Sequence, residues 1–176
     1  KYQETTETIQ KLLKYIKTHK NDDLEINALL ILAKTYFKTG KYPDCIDKFF
    51  MINEIIIPTD NWIKLAENYY ELSKTLAHPD YLQSQTTYNG KTAMLWQFAD
   101  EYLQPVIKLG IQTGKKSLCI DAFELQSEIY INTNNTDKAL ESLQKALNVA
   151  KEIDDSKQID SIQTKIEEIT QKPYSD

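Results

Sequence analysis

Few residues in this chain could do chemistry, and their spacing argues against it. The two histidines, His19 and His78, form neither an H-x-x-x-H nor an E-x-x-H pattern. No Cys-x-x-Cys, Gly-x-Gly-x-x-Gly or Gly-x-Ser-x-Gly occurs. Each histidine closes an apolar helical pattern, where the helix dipole favours a cation. Asp22-Asp23 and Asp154-Asp155 sit where helices begin, and adjacent side chains in a turn point apart. They read as helix caps rather than an acid–base pair. Cys45 and Cys119 fall inside apolar patterns and read as small buried hydrophobes in a reducing compartment. Lys115-Lys116 reads as a solvated loop. The eleven tyrosines mostly fall at helix-packing positions. The expectation is a chain that is not an enzyme and carries no cofactor and no metal.

Composition narrows the partners. The 176 residues carry a formal charge of −5, and all 21 basic residues are lysine. Arginine is the usual bidentate grip on phosphate and guanine, so direct nucleic-acid contact by this segment is not expected. No apolar run approaches the roughly 18 residues a membrane helix needs, and the expected location is the cytoplasm. Four glycines and five prolines are too few for a many-stranded sheet and suit long helices with short connections. The chain begins at Lys1 rather than Met, and a fragment of a longer chain is expected.

The elements that would position any site are helices. Ile9, Leu12, Leu13 and Ile16 share one face over residues 4–19. Helical patterns follow over 24–38 and from Pro43 to about 58, joined by a turn at Thr39-Gly40-Lys41-Tyr42. Thr59-Asp60 can cap a helix from Trp62 to Ala77. Residues 79–91 are polar and aromatic, with a turn signal at Asn89-Gly90. A long apolar pattern then runs from Thr92 to Gly114, with Pro105 inside it expected to kink or break the helix. Helices over 118–132, 138–153 and 156–170 complete the chain. The last has a narrower apolar face, as a lid on a stack would.

Three segments repeat a helix-pair pattern. The first supplies Leu29, Leu32, Ala33, Tyr36, Gly40, Cys45, Phe49 and Pro58. The second supplies Trp62, Leu65, Ala66 and Tyr69, and the third Phe123, Ser127, Tyr130, Ala139, Leu143 and Ala146. This pattern resembles the tetratricopeptide repeat family, in which small residues let paired helices approach and an aromatic fills the gap beside them. Val106–Leu125 aligns with Ala146–Lys165 at an offset of 40 residues, longer than the family's usual repeat of about 34. Such extended repeats are similar to those of bacterial peptide-responsive regulators and of motor light chains. The second copy loses its match after Ala77, which implies an insertion of about 20 residues near 78–98.

The resemblance implies an all-α fold, a right-handed superhelical array of antiparallel helix pairs. One repeat domain spans 1–176, with pairs at about 24–58, 62–113 and 118–153 and terminal helices at 4–19 and 156–170. It also implies a concave face lined by the first helix of each pair, which binds a protein or peptide. The residues expected there are Asn27, Leu30, Lys34 and Phe37 in the first pair. The second contributes Ile63, Lys64, Glu67, Tyr70 and Glu71, and the third Glu124, Glu128, Ile131 and Asn132. Lys34 and Lys64 would meet a carboxylate, while Phe37 and Tyr70 would hold an apolar anchor. The family's Lys/Asn carboxylate clamp is missing, since its slots hold Leu30, Ile31 and Lys34, then Ile63, Lys64 and Glu67. His78, Tyr81, Tyr88 and Trp96 of the insertion are expected to form a lid or partner contact, or else to pack locally. The leading expectation is a non-catalytic binding scaffold. The alternatives are the sensing domain of a transcriptional or signalling regulator and a homodimer module joined through the insertion.

Overall fold

A residue with left-handed backbone ends a helix at every twentieth position over long stretches of the chain. Lys20, Gly40 and Asp60 do so in the first part, and Gly114, Asn134 and Asp154 in the last, with φ between 43° and 74°. A non-glycine residue pays roughly 1–2 kcal/mol for this conformation, which Asn and Asp meet best. The residue that follows often caps the next helix. Asn21 accepts from the Leu24 N–H at 2.9 Å, Asn61 from Lys64 at 3.0 Å, and Asp155 from Gln158 at 3.1 Å. Each satisfies an N–H that the first helical turn leaves without a partner. Asn61 thus caps the helix that Thr59-Asp60 was expected to start.

The computed structural model describes residues 2–171, apart from the side chains of Gln3 and Lys17. Among them are eight α-helices: α1 (Tyr2–His19), α2 (Asp22–Lys38), α3 (Tyr42–Ile56), α4 (Trp62–Leu76), α5 (Leu95–Gln112), α6 (Lys116–Asn132), α7 (Thr136–Glu152) and α8 (Ser156–Gln171). The expected all-α array of neighbouring helix pairs is observed. Helices start at Asp22, Tyr42 and Trp62, and again at Lys116, Thr136 and Ser156, 20 residues apart within each set. From Trp62 to Lys116 the separation is 54 residues instead of 40, an excess of 14.

That excess holds a β-hairpin, β1 (Gln85–Tyr88) with β2 (Lys91–Met94), paired antiparallel with Thr86 opposite Ala93 and Thr87 opposite Thr92. Asn89 and Gly90 both have positive φ, 46° and 78°, the geometry of a two-residue turn that matches strand twist. The hairpin corrects the reading of Thr92 onward as helix: Thr92, Ala93 and Met94 are strand, and α5 begins at Leu95. α5 also runs through Pro105 without interruption.

The chain divides into two compact units, Lys1–Ala99 and Asp100–Asp176. In the first, α1 packs on α2, α2 on α3 and α3 on α4, α2 also touches α4, and β1 lies against α3. Its interior holds Leu29, Leu32, Ala33, Cys45, Ile46, Phe49, Ala66 and Leu72, all at most 1% exposed. In the second, α7 packs between α6 and α8. Ile120, Leu143, Ala146, Leu147, Ala150 and Ile162 make its core. The small residues of the repeat pattern do what their size suggests: Ala33, Ala66 and Ala139 are each 0% exposed. On α8 only Ile162 is fully buried, so its other side faces water.

Polar groups tie each unit together. Buried Asn68 of α4 donates through Nδ2 to the Phe49 carbonyl at 2.9 Å and to Asn53 Oδ1 at 2.8 Å, linking α4 to α3. In the second unit Asp100 accepts from Gln126 Nε2 at 2.6 Å and from the Tyr130 hydroxyl at 2.9 Å. Gln126 in turn accepts from Ser142 at 3.2 Å, so α5, α6 and α7 share one network.

Candidate functional site

The exposed faces of α2 and α4 are the strongest candidate for a binding surface. On α2, Leu24, Asn27, Ile31, Lys34 and Lys38 are all exposed, spaced three and four residues apart along one stripe. Leu24 is 39% exposed and Ile31 47%, while Leu29 and Leu32 on the far side are buried. Lys64 of α4 reaches Asp23 of α2 at 3.1 Å. With Lys64 40% and Asp23 86% exposed, this pair is worth about 0–1 kcal/mol.

The residues expected to line an inner wall divide into open and occupied ones. Asn27, Lys34 and Glu67 are exposed, and Leu30, Ile63, Lys64, Tyr70 and Glu71 are half-buried. Phe37 is a correction. It is 5% exposed and packs against Tyr42, His78 and Tyr81, with ring centroids 5.6, 6.2 and 5.3 Å away. It is the penultimate residue of α2, where the segment after α4 folds back over it, so it anchors this chain rather than a guest. In the second unit, Glu128, Ile131 and Asn132 of α6 are exposed, and Glu124 is held by Lys165 of α8 at 2.7 Å. The Asp23–Lys64 and Glu124–Lys165 pairs each join helices that start 40 residues apart.

His78, Tyr81 and Tyr88 of the insertion pack against rings of their own unit. Tyr88 stacks on Phe50 of α3, centroids 6.0 Å apart and planes 15° from parallel. Burial, followed by a hydrogen bond to Asp47 and its negative charge, pushes the Tyr88 hydroxyl up to about 12. Lys91 lies 5.3 Å over the Phe98 ring, and the Tyr42 hydroxyl reaches Ser84 at 3.4 Å. Tyr81 and Trp96 are half-buried. Beneath the hairpin, Phe50 meets Tyr69 edge-on at 6.2 Å, and burial raises the Tyr69 hydroxyl.

Nothing around the cysteines suggests an activated thiol. Cys45 is fully buried, and burial pushes it up to about 12. Cys119 is raised by burial, partly offset by the charge of Lys116. A reactive thiol needs the opposite shift. Among the described residues, no group of three or more His, Cys, Asp or Glu side chains is placed to hold a metal ion. No helix there is long and apolar enough to cross a membrane. No family model matches the chain, and neither does any curated protein.

Sequence reasoning missed two features. A groove between α1, α2 and α3, bounded by Glu7, Lys11, Lys14, Glu25 and Met51, was not anticipated. The spacing of Glu7, Lys11 and Lys14 along one face of α1 was the available signal. Leu24 and Ile31, seven residues apart, were both passed over as binding residues, and Leu30 was placed on the inner face instead.

Proposed function

We propose that the chain is a non-catalytic binding module built in the manner of tetratricopeptide repeats, and that it holds a protein or peptide segment on the exposed faces of α2 and α4. One observation carries this reading. The α2 stripe keeps two large aliphatic side chains, Leu24 and Ile31, in water beside Asn27 and Lys34. Single exposed aliphatics are ordinary, but two in register with polar groups on one helix face supply both the area and the orienting contacts a peptide needs. Lys34 forms no ion pair among the described residues, so its charge is available to a partner.

Selection from a random peptide library against the folded chain tests this. Binders are expected to lose about tenfold or more in affinity with Ile31→Glu or Lys34→Glu, a change of about 1.4 kcal/mol or more. Lys64→Glu should weaken binding less, because Lys64 is already engaged by Asp23. A library that yields no binders, or binders indifferent to both α2 substitutions, removes the reading.

A further inference from the structure

A groove of about 520 Å³ opens between α1, α2 and α3 in the first unit, built from residues other than the α2 stripe. α1 contributes Glu7, Lys11 and Lys14, one turn apart along a single face, together with half-buried Leu13. α2 contributes half-buried Glu25, and α3 the thioether of half-buried Met51. The volume lies in the range of about 300–1,000 Å³ typical of small-molecule sites, far below what a protein domain would need. Its lining is of two kinds. Leu13 and Met51 offer apolar surface, and methionine adapts to varied side chains.

Four charged side chains border the groove: Glu7, Lys11 and Lys14 from α1 and Glu25 from α2. Glu7 already has a partner, whereas Lys11, Lys14 and Glu25 form no ion pair or side-chain hydrogen bond among the described residues. Opposite charges that share a concavity without neutralising each other leave room for a ligand that carries both signs. The lysines would take a carboxylate and Glu25 an ammonium, with Leu13 and Met51 contacting what lies between. A peptide of two or three residues spans roughly 7–11 Å when extended, at about 3.3–3.6 Å per residue, and is the length proposed.

From this geometry we infer that the groove is a second binding site, for a short free peptide with charged termini and apolar side chains. The peptide lies with its carboxylate toward α1 and its ammonium toward Glu25. This site does not depend on the α2 stripe, and its test is independent of the one above.

The full chain, labelled with nitrogen-15, is titrated with Leu-Leu and Leu-Leu-Leu, each in four forms: free, N-acetylated, C-amidated and doubly blocked. The free peptides are expected to give saturable amide shifts in α1 and around Glu25 and Met51. Blocking either end should weaken binding about tenfold. Glu25→Gln should weaken the free peptide and leave the N-acetylated form unchanged. The double variant Lys11→Gln, Lys14→Gln should weaken the free peptide and leave the C-amidated form unchanged. Both changes are on half-buried or exposed side chains, and unaltered spectra elsewhere verify the fold. No shifts by about 10 mM free peptide would overturn the inference. So would equal binding of the doubly blocked form, which would mark an apolar crevice without charge recognition. Insensitivity to Ile31→Glu separates this site from the α2 stripe.

Discussion

Gly110→Ala is a demanding test of how closely α5 and α6 pack. Alanine normally improves a helix interior over glycine by about 0.5–1 kcal/mol. At Gly110, however, an added Cβ would lie 2.6 Å from Cys119 Sγ, 3.3 Å from the Lys115 carbonyl and 3.6 Å from the Cys119 amide. Ordinary contact begins near 3.4 Å, so the sulfur must retreat by most of an ångström. Cys119 is 0% exposed, and its Sγ reaches the Ile107 carbonyl at 3.5 Å, so it has little room to move. Overpacking of this kind costs about 1–3 kcal/mol. Against the propensity gain, the net expectation is destabilisation by about 1–2 kcal/mol. Urea unfolding followed by far-ultraviolet circular dichroism would measure it. The sharper observation is the double variant. Cys119→Ala removes the offending sulfur, so in that background Gly110→Ala should be neutral or stabilising, a coupling of about 1–3 kcal/mol. A Gly110→Ala protein as stable as the parent, or two additive changes, would refute the close approach of these helices.

Other outcomes follow from the same contacts. Asn68→Ala removes two buried hydrogen bonds between α4 and α3 and should destabilise the chain by about 1–3 kcal/mol in the same unfolding assay. Alkaline pH should weaken the fold. Tyr88 is raised from 10.0 to about 12, and Tyr130 is raised by burial, then by its hydrogen bond to Asp100. A tyrosine raised in the folded state deprotonates first in the unfolded chain, so its stabilisation is complete below pH 10 and drains away as pH climbs toward the folded value. Unfolding curves of Tyr88→Phe and Tyr130→Phe should accordingly fall less steeply between about pH 10 and 12 than those of the parent.

The helices were legible because their burial follows the 3.6-residue period over fifteen or more residues at a time. The small positions were legible too, since Ala33, Ala66 and Ala139 recur at the spacing where paired helices approach, and all three are fully buried. The hairpin was less so. Its strands are four residues each, too short for a period of two to stand out, and Ala93 and Met94 run straight into the apolar pattern of Leu95, Phe98 and Ala99. Asn89-Gly90 did announce the turn, but not the pairing across it. Phe37 was misplaced for a different reason. A helical wheel assigns a face, but the rings that cover Phe37 come from His78 and Tyr81, some 40 residues away, and no local pattern encodes that contact. Left-handed stops at Lys20 and Asp60 were likewise hidden, because the common signal for such a turn is glycine or asparagine.

Mapping a library-selected peptide onto the amide spectrum of the intact chain tests the central claim most directly. The proposed binding face predicts the largest shifts at Asn27, Ile31 and Lys34 of α2 and at Lys64 and Glu67 of α4. Shifts confined to the hairpin or to the outer side of α7, with the α2 stripe unmoved, would contradict it.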